Sequence, residues 1–116
     1  MIILICGDRN WNNLEIMVRE MERLPKVATI VHGAAKGADT MAGLIAEQLG
    51  MTVLPFPADW KKYGRAAGPV RNREMFRKTD PELVLAFHEN IEASKGTKDM
   101  VNYARQQGCP TKIVSN

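Results

Sequence analysis

The chain has 116 residues, of which 45% are hydrophobic and 25% are charged, and its formal net charge is +3. This length and balance fit one globular domain, residues 1–116, with a core of its own, and they exclude a disordered chain. The apolar runs are far too short to span a bilayer, and the small positive charge suits a small anionic ligand but is too weak to indicate nucleic acid.

Five short apolar runs predict five β-strands. The first is an unbroken run rich in isoleucine, which is typical of a strand buried on both faces of a parallel sheet. In chain order the predicted strands are Met1–Cys6, Ala28–His32, Thr52–Phe56, Leu83–His88 and Lys112–Val114.

Amphipathic segments between these strands predict four helices. The first follows Asn12 or Asn13, either of which can cap it, and Pro25 ends it. The other three run from about Met41 to Leu49, from Pro69 to about Lys78, and from Thr97 to a stop at Gly108. After the third strand, Pro57–Gly68 lacks periodicity and is predicted to be an irregular loop of a length that is often functional.

Alternation of strands and helices along the chain predicts an α/β fold: a doubly wound parallel five-stranded sheet with helices on both faces. In such sheets, ligands bind beyond the carboxyl ends of the strands, where the winding reverses. Four segments are predicted to lie there, namely Gly7–Trp11, Gly33–Asp39, Pro57–Gly68 and His88–Thr97. Each contains glycine and a basic residue, so we expect a ligand site at this edge of the sheet.

The segment VHGAAKGAD, ending at Asp39, is the strongest candidate for an anion site. Gly33 and Gly37 permit backbone angles and close approaches that a side chain forbids. The helix that follows presents unpaired N–H groups and the positive end of its dipole, and Lys36 adds a mobile charge. These features favour a phosphate group. The alternative is a tight strand-to-helix connection that binds nothing.

A second helix start, around Ser94, Gly96 and Thr97, has similar chemistry. Hydroxyl groups and backbone N–H groups are expected to converge there on an anion. The alternative is an ordinary cap by Thr97, which needs no ligand. Two helix N-termini that face one crevice suit a phosphorylated ligand better than two unrelated caps.

Arg71 and Asn72 are predicted in the first turn of the third helix, near the same crevice. A guanidinium can hold a phosphate with two hydrogen bonds, whereas a cation at a helix N-terminus opposes the dipole. This local cost indicates a role in binding, although such charges are commonly a solvated surface. We expect Arg71→Ala to weaken binding of a phosphorylated ligand while leaving thermal stability little changed.

The remaining chemistry-bearing residues give weaker signals. Trp11, Trp60 or Tyr63 can stack on a base, or alternatively pin a loop onto the body of the domain. His32 and His88 have no evident catalytic partner, and no metal or cofactor constellation is expected. The two cysteines, Cys6 and Cys109, have no metal-ligand spacing, which favours a reducing, cytoplasmic setting.

Five segments occur in the order found in one protein family. They are ICGDRNW, VHGAAKGADTMA, FPADWKKYGRAAGPVRNREM, LVLAFH and SKGTKDM. Together they resemble the small YspA/cpYpsA-related domains of the SLOG superfamily, which occur in bacteria and phages. The resemblance implies a Rossmann-like fold that binds a nucleotide or nucleotide-derived ligand. The same superfamily includes DprA and the Lonely-guy phosphoribohydrolases, which release a base from a nucleoside monophosphate.

The resemblance to the Lonely-guy enzymes is uneven. Their R-K-x-x-M pattern matches at Arg71 and Met75, and the G-T of their P-G-G-x-G-T-x-x-E pattern matches at Gly96 and Thr97. Met100 stands where that family has its catalytic glutamate, and Asp99 lies one residue early, rotated by about 100° on a helix. The resemblance therefore implies that the binding groups are kept and the acid/base group is lost.

Two functions follow. The preferred one is a sensor or sequestering module that binds a nucleotide-derived small molecule, and the alternative is a nucleotide N-glycosidic hydrolase that uses Asp39 or Asp99, with Arg71 holding the phosphate. Relatives often associate through helices, which is compatible with a homo-oligomer, although the sequence shows no decisive exposed apolar stripe. No basic stripe indicates nucleic acid, and no membrane partner is expected. The predicted ligand-binding residues are Gly7, Arg9, Gly33, Lys36, Gly37, Asp39, Trp60, Arg71, Asn72, Ser94, Gly96 and Thr97.

Overall fold

Five parallel strands form one sheet in a computed structural model that describes residues 1–116. Their order across the sheet is β3-β2-β1-β4-β5, so β3 and β5 are the outer strands. This arrangement confirms the predicted α/β, doubly wound, Rossmann-like fold. The strands are β1 (Ile2–Gly7), β2 (Thr29–His32), β3 (Thr52–Pro55), β4 (Leu83–Phe87) and β5 (Thr111–Val114).

Helices cover both faces of the sheet. They are α1 (Leu14–Glu22), α2 (Ala38–Gln48), α3 (Trp60–Tyr63), α4 (Ala67–Thr79) and α5 (Gly96–Gln106), with short 3₁₀ turns at Gly64–Ala66 and Ile91–Ala93. The alternation of side chains along β1 divides the core between the faces. Ile3 and Ile5 pack with the α1 and α2 side, whereas Leu4 and Cys6 pack with the α4 and α5 side. None of these helices is long and apolar enough to cross a membrane.

The winding of the chain reverses between β1 and β4, which lie side by side at the centre of the sheet. Gly7, the last residue of β1, pairs with Phe87, the last residue of β4. A Cβ at Gly7 would overlap the carbonyl oxygen of Phe87 and lie 2.7 Å from Cβ of Ala38. Glycine is therefore required here for α2 to approach the sheet, and this packing explains the residue without any ligand.

The segment Pro57–Gly68 differs from the prediction, because most of it is helical. The Asp59 carboxylate accepts a hydrogen bond from Lys62 N at 3.0 Å and so caps α3. A 3₁₀ turn then leads into α4, which begins at Ala67 rather than at Pro69. Proline is tolerated there because the first-turn amides of a helix have no partner within it. Arg71 is consequently the fifth residue of α4, one turn beyond the position where the dipole argument applied.

Helix α2 begins at Ala38, three residues before the predicted Met41, and the other element bounds shift by one or two residues. Asn13, rather than Asn12, caps α1 by accepting a hydrogen bond from Ile16 N at 3.1 Å. The last helix begins at Gly96 instead of Thr97. Shifts of this size are ordinary at helix ends, where the final turns are held by few hydrogen bonds.

Candidate functional site

The loops at the carboxyl ends of the strands contact one another along one rim. Ala38 N, at the start of α2, donates a hydrogen bond to the carbonyl oxygen of Asp8, at 3.1 Å. Nε2 of His88, just after β4, lies 4.0 Å from Oδ2 of Asp8, so the histidine does have a partner that the sequence did not reveal. The ends of β1, β2 and β4 are thereby brought together around Asp8.

Gly37 is the residue that permits this meeting of loops. Its backbone angles, φ 78° and ψ −122°, lie in a region that only glycine adopts without strain. A Cβ at this position would overlap the carbonyl oxygens of Asp8 and Arg9. The Arg9 side chain is exposed beside them. Gly37 therefore holds the start of α2 directly against the β1–α1 loop.

The start of α2 leaves three backbone donors unused. The N–H groups of Lys36, Gly37 and Asp39 make no hydrogen bond within the protein, whereas Thr40 N donates to the carbonyl oxygen of Ala35 at 3.2 Å. No side chain caps this helix, and the Lys36 side chain is exposed at the tip of the loop. Free amides at the positive end of a helix, next to a lysine, can bind an anion.

The Asp39 carboxylate already accepts hydrogen bonds from two other backbone amides of the loop. Its Oδ2 accepts hydrogen bonds from Gly33 N at 3.0 Å and from Ala35 N at 3.3 Å. The side chain is buried, and burial raises the pKa of Asp39 to about 6, against the opposing effects of these two hydrogen bonds and the Arg71 charge. Part of the predicted phosphate cradle is thus filled by the protein's own carboxylate, and only the tip of the loop remains open.

The loop also carries backbone strain. Ala34 has φ 57°, in the left-handed region that non-glycine residues rarely adopt. Its N–H donates to Nδ1 of His32 at 2.9 Å, which holds the conformation. His32 is buried, and burial lowers its pKa, so this histidine is a structural group rather than a catalytic one. Strain of this kind concentrates at binding sites.

Arg71 is half-buried and is bonded to the backbone instead of standing free. Nη1 donates to the carbonyl oxygens of Gly33 and, at 3.4 Å, Phe56, while Nε donates to Oδ1 of Asn72 at 3.0 Å. A Cβ at Gly33 would lie only 2.5 Å from Nη1, so glycine is needed to admit the guanidinium. Burial lowers the pKa of Arg71, with Asp39 acting against this. Nη2 makes no hydrogen bond within the protein and is the unbonded part of the guanidinium.

Because Arg71 donates to two backbone carbonyl oxygens, the structure favours a larger effect of Arg71→Ala on stability than the sequence indicated. Removing the side chain would leave Gly33 O and Phe56 O without this donor. We now expect a loss of about 2 kcal/mol in the free energy of unfolding. The sequence pattern indicates only a first-turn cation, because the two carbonyl oxygens come from the residues just after β2 and β3, far away in the chain.

Asn72 connects Arg71 to the start of α5. The side chain is buried, and Nδ2 donates to the carbonyl oxygen of Gly96 at 3.3 Å and to Oδ2 of Asp99 at 3.0 Å. Arg73 holds the same carboxylate with two hydrogen bonds, at 2.9 and 3.1 Å. Burial would raise the pKa of Asp99, but the bonds from Arg73 and Asn72 lower it overall. A carboxylate held in this way is poorly suited to catalysis.

The start of α5 is capped by its own loop. Oγ of Ser94 accepts hydrogen bonds from Thr97 N at 3.0 Å and from Lys98 N at 3.4 Å. The capping residue is therefore Ser94 and not Thr97, whose side chain is buried. The amides of Lys95 and Gly96 stay unbonded, so this end offers fewer free donors than the start of α2.

A pocket lies beside this rim rather than within it. Its volume is about 220 Å³, and it is bounded by the end of β3, by α3 and by one face of α4. The polar residues that line it are Asp59, Lys62, Tyr63, Arg71 and Glu74. Arg71 is the one predicted site residue among them. The helical spacing of Val70, Arg71 and Glu74 was a signal in the sequence, but the folded α3 that completes the pocket was not recognised.

Trp60 and Trp11 stand apart from the pocket. Trp60 is 61% exposed, and the edge of its ring lies near Gly68 at the start of α4. Trp11 is buried and makes an edge-to-face contact with Phe87, with ring centroids 5.6 Å apart. Trp11 therefore pins its loop to the core.

No group of three or more histidine, cysteine, aspartate or glutamate side chains is arranged to hold a metal ion.

Comparisons with known proteins agree with this fold. Residues 1–63 match the YspA, cpYpsA-related SLOG family. The chain is 35% identical to the Gene 61 protein of Mycobacterium phage D29, over 93% of this chain and 91% of that protein. It also resembles the structure of DNA processing protein A (DprA) from Streptococcus pneumoniae, with a TM-score of 0.53 and 16% identity, over 95% of this chain. The match spans 57% of the DprA chain, and at this identity it shows the fold alone. The chain therefore belongs to the YspA, cpYpsA-related SLOG family.

Proposed function

We propose that this protein binds a nucleotide or nucleotide-derived phosphorylated ligand at the carboxyl ends of the strands, and acts as a sensor or sequestering module. The observation that carries the proposal is the set of unused amides of Lys36, Gly37 and Asp39 at the start of α2. A phosphate offers several acceptor oxygens to such donors and gains from the helix dipole. Family membership supports a nucleotide-related ligand in general but names none.

Two further features support the same site. The Lys36 and Arg9 side chains are exposed next to the free amides and supply mobile positive charge. Ala34, in the same loop, has a strained backbone conformation that costs free energy. Strain of this kind is found at binding sites, where the strained backbone is part of the site. The start of α2 also contacts the loop after β1 through Ala38 N and Asp8 O, next to the point between β1 and β4 where the winding of the sheet reverses. That point is the usual ligand position in this class of fold.

A hydrolase remains the second candidate because of Asp39. Its buried carboxyl has a pKa raised by burial to about 6, close to the range that suits proton transfer at neutral pH. It lies under the same loop that would hold the phosphate. Asp99 is not retained as a candidate catalytic carboxylate, since Arg73 and Asn72 hold it.

Heteronuclear NMR tests the binding site directly. The ¹⁵N-labelled protein is titrated with AMP and, separately, with ADP-ribose, and with sodium sulfate at matched ionic strength as a control for unspecific anions. The largest downfield shifts are expected at the amides of Lys36, Gly37 and Asp39, because these donors acquire acceptors. The absence of such shifts with both nucleotides would contradict the proposal.

Two lysines provide a matched pair for calorimetric titration of the same nucleotides. Lys36→Ala should weaken binding about three- to tenfold, since an exposed charge beside a phosphate contributes modestly. Lys26→Ala removes an equally exposed charge before β2, at the opposite edge of the sheet, and should leave the affinity unchanged. Equal losses of nucleotide affinity in the two variants would mean that binding depends only on the net charge of the protein and not on the position of Lys36.

Chemical analysis of the same mixtures separates binder from hydrolase. Intact nucleotide recovered after hours with the protein supports the sensor or sequestering role. Free base, released by the wild-type protein and not by Asp39→Asn, would instead establish the N-glycosidic hydrolase.

We also propose a cytoplasmic location, because Cys6 and Cys109 are both free thiols, as is usual in a reducing compartment.

A further inference from the structure

The pocket between α3 and α4 has a size and lining that suit part of a nucleotide. At about 220 Å³ it is smaller than the roughly 300–1,000 Å³ typical of whole drug-sized ligands, so it suits a base with part of a sugar. Its apolar wall includes Phe56, Pro57 and Val70. No residue of α3 is buried, so this side of the pocket is formed by a thin, accessible segment.

Tyr63 supplies an aromatic face in this pocket. It is 39% exposed, and Nζ of Lys62 lies 5.1 Å from the centroid of its ring. A flexible, exposed lysine over an aromatic face is displaced at little cost. Every nucleobase has a flat π-surface that stacks on such a ring.

Carboxylates at the pocket wall add acceptors for hydrogen-bond donors. Glu74 pairs with Lys78 at the surface, at 3.0 Å, and Asp59 uses Oδ1 to cap α3. The remaining carboxylate oxygens can accept from sugar hydroxyls or from an exocyclic amino group. A carboxylate that accepts from ribose hydroxyls is a recurrent device in dinucleotide sites.

Arg71 joins this pocket to the rim. Its Nη1 is bonded to the carbonyl oxygen of Gly33, in the loop that precedes the free amides, and the same guanidinium lines the pocket. We infer that the pocket holds the nucleoside part of the ligand, with the base on Tyr63, while the phosphate lies at the start of α2. This inference rests on the proposed nucleotide binding and adds that the base, and not the phosphate alone, is recognised.

Calorimetric titration of AMP, ribose 5-phosphate, inorganic phosphate and adenosine tests the inference in the wild-type protein, Tyr63→Ala and Tyr63→Phe. We expect the wild-type protein to bind AMP at least tenfold more tightly than ribose 5-phosphate, because stacking acts on the base alone. Tyr63→Ala should lose about tenfold for AMP and nothing for ribose 5-phosphate, whereas Tyr63→Phe keeps the ring and the affinity. Thermal denaturation checks that each variant is folded.

The outcomes separate the two proposals. Equal affinity for AMP and ribose 5-phosphate, or equal losses of both in Tyr63→Ala, would overturn the pocket while leaving the phosphate site intact. A loss of AMP binding in Trp60→Ala but not in Tyr63→Ala would overturn it as well. Adenosine that binds as tightly as AMP, and depends on Tyr63, would keep the pocket and overturn the phosphate site. If none of the four compounds binds, both proposals fail.

Discussion

The starts of α2 and α5 look alike in the sequence and behave differently in the structure. Both follow a strand and a glycine-containing turn with a lysine. At α5, Ser94 folds back and takes the amides of Thr97 and Lys98. At α2, the residue before the helix is Gly37, which has no side chain to fold back, and three amides stay free. The comparison shows that a serine before a helix takes up two of its first amides, whereas a glycine takes up none and leaves more donors free.

Gly37→Ala should have the largest effect on this comparison. The new Cβ would meet the backbone of Asp8 and Arg9, in a conformation forbidden to alanine. Backbone cannot move aside as a side chain can, so we expect a loss of about 3–5 kcal/mol in the free energy of unfolding. Chemical denaturation measures it.

Two other glycines serve as controls for that experiment. Gly50 also has a positive φ, 76°, but a Cβ there meets no atom within 4 Å, so Gly50→Ala should cost only about 1 kcal/mol from strain. Gly96 has open space and lies in the first turn of α5, so Gly96→Ala should be nearly neutral. A Gly37→Ala variant no less stable than Gly50→Ala would show that the two loops do not need this close contact.

The pH dependence of stability probes Asp39, the carboxylate that partly fills the α2 loop. Its folded-state pKa, raised by burial to about 6, exceeds the ordinary 3.8, so the native state binds this proton more tightly than the unfolded state. The extra stability from this proton is fully present below about pH 4 and is lost as the pH rises through 6. The total loss in the free energy of unfolding is about 3 kcal/mol. Asp39→Asn removes the titrating group and should flatten this decline.

Denaturant unfolding of both proteins from pH 4 to pH 8 measures the difference. The other carboxylates titrate in both proteins and cancel in the comparison, including Asp99, whose pKa is lowered and whose contribution has the opposite sign. Parallel pH profiles for wild type and Asp39→Asn would show that Asp39 is not responsible.

Ser94→Ala should have the smallest effect. Loss of the cap leaves the amides of Thr97 and Lys98 unpaired and costs about 1 kcal/mol, as is usual for capping residues. Affinity for AMP should stay unchanged, since the proposed phosphate site lies at α2. Thermal denaturation and calorimetry measure the two quantities. Weaker AMP binding in this variant would instead indicate that the α5 start contributes to the site.

The sequence was sufficient to predict the fold, because unbroken apolar strands alternating with amphipathic helices leave few other arrangements. It was not sufficient to separate residues of the same type. Arg71 and Arg73 lie two positions apart on α4. Arg71 bonds to the backbone just after β2 and β3, while Arg73 holds Asp99 and lies over the Tyr103 ring. Only tertiary contacts distinguish them, and no local pattern encodes these contacts.

The pocket was missed for a related reason. One side of the pocket is formed by α3, a helix of four residues that is too short to show periodicity in the sequence. Asp59 starts it with a local cap, a signal that is weak beside the proline and glycine residues around it. Trp60 is a predicted ligand-binding residue, whereas the aromatic residue that lines the pocket is Tyr63.

The outer strands of the sheet are built in a way that hinders extension of the sheet. β3 and β5 have only four residues each, and β3 ends in Pro55, which has no N–H to offer a neighbouring strand. β5 carries the exposed Lys112 in its middle. Short strands with proline or lysine discourage the addition of a further strand, and so protect against aggregation. We therefore expect the sheet to remain five strands wide, with no strand of another chain added at either edge.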